Sequence, residues 1–119
     1  MKKITGLLAA LSLVSSLISL NAFASNSIEQ GKIAAEKFNC ASCHGADYNT
    51  PIDPTYPKIA GQHKDYLVHS LKAYQRGVNG ANGRGNAIMG AQVKALNNKD
   101  IENIAAYLNS LQGSLVVKR

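Results

Sequence analysis

The pentapeptide Cys40-Ala41-Ser42-Cys43-His44 constrains this chain more than any other stretch. Two thiols spaced i, i+3 fall on one side of a helical turn, and an imidazole follows directly after the second. That spacing reads as c-type haem attachment. Each thiol adds across one haem vinyl group to make a thioether, and His44 offers the iron a neutral axial nitrogen. Other uses of a CxxC pair fit less well. A thioredoxin-like redox pair follows a strand in an α/β fold, and no strand pattern precedes Cys40. A zinc site is left incomplete, because Cys40 and Cys43 are the only cysteines and no HxxxH-type pair joins them. A disulfide across so short a loop constrains the unfolded chain very little. None of these explains the histidine.

Attachment of this kind needs thiols delivered outside the cytoplasm, and the N-terminus meets that requirement. Met1-Lys2-Lys3 is a positive start, Ile4 to about Leu20 is an apolar run rich in leucine, and Asn21-Ala22-Phe23-Ala24 ends in a small-x-small pattern. Together they predict a secretory signal over residues 1–24, cleaved after Ala24. Thr5, Ser12, Ser15, Ser16 and Ser19 dilute the run, which weighs against a retained membrane anchor, and no cysteine near the cleavage site would carry a lipid. Residues 25–119 are then one small monohaem domain, with the bacterial periplasm as its expected location. Loss of Lys2 and Lys3 lowers the net charge from +6 to +4, and two haem propionates lower it further. The remaining bias suits steering towards an acidic partner patch. The basic residues are scattered, without a run or interleaved aromatics, so nucleic acid is not an expected partner. So short a domain is also marginal for burying its own core, and a covalently held apolar cofactor would fill much of it.

Helical patterns run through the rest of the chain. Ser27-Ile28-Glu29-Gln30 has the form of a capping box, and Ile28, Ala34, Ala35 and Phe38 make a narrow apolar stripe that ends near Asn39. Gly31 is an odd residue within such a helix, where it costs about 1 kcal/mol against alanine. Pro51, Pro54 and Pro57 forbid a regular helix over 46–60 and predict a loop that wraps around something. Leu67, Leu71 and Tyr74 mark a helix over about 64–75, with Gly77 as its C-terminal stop. A glycine-rich, non-helical segment follows over 77–90. The last helix is the clearest: Asn97 or Asn98 can cap it, and Ile101, Ile104, Ala105, Leu108 and Leu111 form its buried face up to Gly113. The tail from Ser114 should fray. Helices joined by loops make this an all-α domain.

The second axial ligand has few candidates. Beyond the signal, Met89 is the only methionine, and it lies in the glycine-rich loop rather than on an apolar helical stripe. His69 falls off the Leu67/Leu71 face and reads as solvated, and His63 precedes the same helix; these are the rivals for a bis-histidine site. With His44 and Met89 both bound, the iron changes only its oxidation state. With the sixth position displaceable, the protein would instead be a haem-based ligand-binding or catalytic protein.

At this point the chain resembles the class I c-type cytochromes, and more closely the small bacterial cytochrome c4/c553-like family. The resemblance covers 31–111: Gly31, Cys40-Ala-Ser-Cys-His44-Gly45, Tyr56-Pro57-Lys58-Ile59-Ala60-Gly61-Gln62, Tyr66-Leu67, Leu71, Met89 and Ile104-Ala105-Ala106-Tyr107-Leu108. It implies a class I cytochrome c fold, with about three to four helices wrapped around one haem c. It implies a contact between Gly31 and Tyr107, and a Pro57 backbone carbonyl that accepts from the ring N–H of His44. The implied function is electron transfer rather than enzymatic turnover, between partners such as a quinol-oxidising complex and a terminal oxidase or reductase. No stable membrane insertion is expected after signal cleavage. A cytochrome c4 proper carries two haem domains and this chain has one CxxCH, so it looks like a single-haem relative. Arg84 and Lys58 could neutralise propionates or simply be solvated.

Overall fold

The fold comes from a computed structural model that describes residues 11–114, with side chains from Ala24 onward. Most of the expected leader, residues 1–24, and most of the tail expected to fray therefore lie outside the described side chains. Among the described residues the structure is all-helical: α1 Leu11–Lys37, α2 Ala41–His44, α3 Lys64–Arg76, α4 Ala87–Val93 and α5 Asn98–Ser110. No helix among them is long and apolar enough to cross a membrane.

Two elements differ from the sequence expectation. The first helix does not begin at Ser27; it is already under way and passes through Ser27 and Gln30 as interior positions. The capping-box spacing is present there, but no proline or glycine lies between Leu11 and Gln30 to end the helix before it. The second difference is α4, a short helix where the glycine content predicted only loop. Asn86 starts it: its backbone is extended and its side-chain oxygen accepts from the Met89 N–H at 2.8 Å. A well-formed cap at that point outweighs one interior glycine, Gly90.

α1 and α5 cross at close range and form the floor of the domain. Ala35, Ile101 and Ala105 are completely buried there and Ile104 nearly so. Gly31 sets the separation. A Cβ at that position would lie 1.9 Å from the Asn103 carbonyl oxygen and 2.7 Å from the Tyr107 Cβ. The mid-helix glycine therefore reflects close backbone approach, and it does meet Tyr107. The Tyr107 ring and the buried Tyr48 ring of the wrapping loop meet in a T-shaped pair, with centroids 5.9 Å apart and planes at 88°.

α5 is fastened at its start by a full capping box. The Asn97 side chain accepts from the Asp100 N–H at 2.9 Å, and the Asp100 carboxylate accepts from the Asn97 N–H at 3.1 Å. α3 packs against α5 through Leu67 and Val68, and stops at Gly77, whose φ of 63° is costly for any residue with a side chain. Gln75 ties α3 to the turn after α4, donating to the carbonyls of Val93 and Leu96 at 2.8 Å each. The Val93 carbonyl also accepts from the Leu96 N–H, at 3.1 Å. The exposed Lys64–Glu102 pair, at 3.1 Å, also links α3 to α5, but a solvated pair adds little.

Gly31→Ala should destabilise the protein by about 2 kcal/mol despite alanine's better helix propensity, because backbone has to move to admit the methyl group. Urea unfolding of the haem-loaded variant measures this, and an unchanged midpoint would refute the close crossing. Burial, together with the neighbouring Tyr107, pushes the Tyr48 phenol up to about 12. Its neutral form stabilises the fold fully below the ordinary tyrosine range near 10, and this contribution is lost as pH rises towards 12. Alkaline unfolding curves of wild type and Tyr48→Phe should therefore diverge above pH 10 and run parallel below it.

Candidate haem site

α1 ends at Lys37, and Asn39 enters the left-handed region at φ 55°, which turns the chain into the motif. The motif is a single helical turn, with the His44 N–H donating to the Cys40 carbonyl at 3.2 Å and the Gly45 N–H to that of Ala41 at 2.9 Å. Gly45 then reverses the chain at φ 88°, where a Cβ would lie 2.1 Å from the Thr50 carbonyl oxygen. Only glycine passes there.

The loop that follows is held by its own polar groups. The Asp47 carboxylate accepts from the N–H groups of Asn49 and Thr50 and from the Thr50 hydroxyl, at 2.8–2.9 Å. The N–H of Ile52 donates back to the Cys43 carbonyl at 3.1 Å, and those of Ile59 and Ala60 to the Tyr48 carbonyl at 2.9 and 3.2 Å. This path brings the Pro57 carbonyl to 2.9 Å from His44 Nδ1. A carbonyl oxygen only accepts, so Nδ1 carries the proton and Nε2 keeps the lone pair. His44 is buried, and the hydrogen bond fixes both its tautomer and its ring orientation, as ligating histidines require.

The residues singled out from sequence converge on one cleft. An apolar hollow is walled by Phe38, Cys40, Val93, Leu96 and Ile104. A second hollow, of about 220 Å³, opens beside it and carries Tyr56, Pro57, Tyr66 and Arg84. Cys43, His44, Leu71, Ile88, Met89 and Leu108 face both. Met89, on the first turn of α4, is half-buried on the same cleft as His44. His63 and His69 are both exposed and line neither hollow.

Both cysteines are free thiols and half-buried. Burial pushes the Cys40 thiol up from its ordinary value. A thioredoxin-type nucleophile needs the opposite shift, so the pair does not suit disulfide exchange. Two thiols, a tautomer-locked imidazole, a thioether and apolar walls fit a covalently attached haem by donor chemistry and by polarity alike. Among the described residues no cluster of three or more His, Cys, Asp or Glu side chains could hold a separate metal ion.

Residues 28–112 match the Cytochrome c family. The chain belongs to that family. It is a class I c-type cytochrome of the c4-like kind, with haem c covalently bound. It is 40% identical over 90 residues to cytochrome c4 of Stutzerimonas stutzeri, an alignment covering 72% of this chain and 40% of that protein. To cytochrome c-554(548) of Halomonas halodenitrificans it is 39% identical over 71 residues, covering 60% of this chain and 82% of that one. A third relative, at 30% identity over 79 residues, is the thiosulfate dehydrogenase electron acceptor of Thiomonas intermedia, covering 66% of this chain and 34% of that one. The chain thus spans about a third to two fifths of the length of the cytochrome c4 proteins it matches, and most of the shorter c-554(548).

Sequence reasoning missed Asn86, whose cap sets the turn on which Met89 stands; an Asn three residues before the methionine was the available signal. It also missed the arrangement of Tyr66, Tyr74 and Arg84 at the outer end of the cleft, which no periodicity announces. Replacing Cys40 and Cys43 together with alanine should leave no haem bound after acid–acetone extraction, whereas wild type retains all of it. Haem retained by the double variant would disprove attachment at these thiols.

Proposed function

We propose that this chain is a periplasmic carrier of single electrons in which His44 and Met89 are the two axial ligands of the haem iron. The observation that supports this best is the presence of the Met89 thioether on the same cleft as a buried His44 whose Nδ1 is already committed to the Pro57 carbonyl. When bound, haem c supplies a one-electron iron couple. The protein's own part is to hold and to shield. Cys40 and Cys43 anchor the ring covalently, His44 presents Nε2, and Met89 presents a soft donor that favours the reduced state more than a second imidazole would. Phe38, Leu71, Val93 and Leu108 keep water from the metal side of the cleft. Donors fixed in this way barely move when an electron arrives, so reorganisation is small.

Residues 1–24 act as the export signal, because the thiols must meet haem outside the cytoplasm. The redox partners in this reading are a quinol-oxidising complex as donor and a terminal oxidase or reductase as acceptor. The relative named as the electron acceptor of a thiosulfate dehydrogenase adds dehydrogenases to the donors worth testing. The surplus of basic residues suits an acidic docking face on either partner.

Met89→Ala is the deciding experiment. The variant should keep its haem, lose the methionine–Fe(III) charge-transfer band and bind carbon monoxide when reduced. A variant that keeps the band and stays inert to carbon monoxide would eliminate Met89. A wild-type protein that lacks the band, yet is low-spin and inert to carbon monoxide, would move the ligand to His63 or His69. Intact mass of the periplasmic protein should correspond to a chain beginning at Ser25, plus one haem.

A further inference from the structure

Asparagine is followed directly by glycine at two places in the chain, Asn79-Gly80 and Asn82-Gly83, both in the segment between α3 and α4. Such a pair carries its own chemistry. The backbone nitrogen of the glycine attacks the side-chain carbonyl carbon of the asparagine, and glycine hinders that attack least because it has no Cβ. A bond forms from this nitrogen to Cγ, the Cγ–Nδ2 bond breaks, and ammonia leaves with the proton of the attacking amide. Water then opens the cyclic imide. Addition at Cγ gives aspartate; addition at the backbone carbonyl gives isoaspartate, whose main chain runs through the side-chain methylene. In balance, one water is consumed, one ammonia is released, and a neutral side chain becomes a carboxylate.

The fold treats the two pairs differently. Asn82 stands in the left-handed region at φ 55°, and its carbonyl accepts from Arg76 Nη2 at 3.2 Å. The Gly83 N–H, whose nitrogen would have to attack, donates to the Gly80 carbonyl at 2.9 Å. Reaction there has to break both bonds. Asn79 is exposed, and its side chain has no hydrogen-bond partner among the described residues. The Gly80 N–H reaches the Gly77 carbonyl only at 3.4 Å, too long for a strong bond. Nor is glycine at 80 replaceable: a Cβ there would lie 2.5 Å from the Arg76 Cβ and 2.9 Å from the Arg76 carbonyl oxygen. The turn after α3 thus demands the very residue that makes Asn79 labile. Charge acts in the same direction. From Tyr66 to Lys99 the chain carries Lys72, Arg76, Arg84, Lys94 and Lys99 and no Asp or Glu. Positive surroundings stabilise the anion that the Gly80 nitrogen becomes before it attacks.

We propose that Asn79 is a deamidation site of the folded protein, converted by water alone to isoaspartate and aspartate, whereas Asn82 is protected by the Arg76 and Gly83 hydrogen bonds. The change puts a carboxylate into a stretch that otherwise has none. As isoaspartate it also lengthens the main chain by a methylene in the segment leading to Asn86 and α4. The chemistry involves no iron, so it is independent of which residue is the second axial ligand and of the electron-carrier reading.

The test holds haem-loaded wild type, Asn79→Gln and Arg76→Gln in mildly alkaline buffer and maps their peptides by mass spectrometry, with fragment ions assigning each site. Isoaspartate is scored with an isoaspartyl methyltransferase and labelled S-adenosylmethionine. In folded wild type Asn79 should react about tenfold faster than Asn82 or more, the effect of two hydrogen bonds that only Asn82 has to break. Wild type unfolded in urea should lose this preference. Asn79→Gln should remove most of the methyl label, together with the less basic form that grows in on cation exchange. Arg76→Gln should speed Asn82 about fivefold, the effect of one ordinary hydrogen bond. Equal rates at the two sites of the folded protein, a faster Asn82, or an Asn79 that stays intact while the urea-unfolded chain reacts would overturn the proposal. An Asn82 as slow in Arg76→Gln as in wild type would overturn it too. Should Arg76→Gln fail to fold, the comparison of folded with unfolded wild type decides alone.

Discussion

One hydrogen bond, from His44 Nδ1 to the Pro57 carbonyl, joins the two halves of this small domain. On one side is the rigid turn of the haem motif; on the other is a loop that three prolines keep from coiling. The bond determines which ring nitrogen is free, and so leaves Nε2 as the lone pair that His44 can offer. The loop's other bonds, from Asp47 to its neighbours and from Ile52 back to Cys43, support that single contact.

The α1–α5 crossing provides the base on which this arrangement rests. Its closeness depends on Gly31, where even a methyl group would strike the Asn103 carbonyl, and on the small, fully buried Ala35 and Ala105. With little side-chain volume spent between these two helices, the larger residues of α5, Ile104 and Leu108, are left to face the cofactor cleft. α3 and α4 complete its rim, and Gln75 holds them together through the carbonyls of Val93 and Leu96.

What is legible in the sequence follows how local each feature is. The motif, the capping of α5 by Asn97 and Asp100, and the stop at Gly77 are written in neighbouring residues and are present in the fold. The start of α1 is not, because a capping-box spacing implies an N-terminus only where something breaks the helix before it, and nothing does between Leu11 and Ser27. α4 is hidden by its glycine-rich surroundings, although Asn86 alone suffices to begin it. The position of the Pro57 carbonyl follows from family resemblance, since a backbone path through three prolines cannot be worked out residue by residue. The meeting of Arg84 with the Tyr66 and Tyr74 rings is illegible for a different reason. Tyr66 and Tyr74 lie two helical turns apart and Arg84 beyond a glycine turn, so only the fold makes them neighbours.

The half-buried state of the two thiols has a consequence for how the molecule is made. In the closed structure Cys40 sits behind residues drawn from as far along the chain as Leu108, and its burial keeps the sulfur protonated. A sulfur so enclosed is poorly placed to meet a bulky tetrapyrrole arriving from outside. Assembly therefore has an order: attachment comes first, on an open chain, and the walls supplied by α3, α4 and α5 close around the ring afterwards. A chain that misses the first step has no filling for its interior, remains open, and is exposed to proteolysis. Maturation and quality control are then a single event.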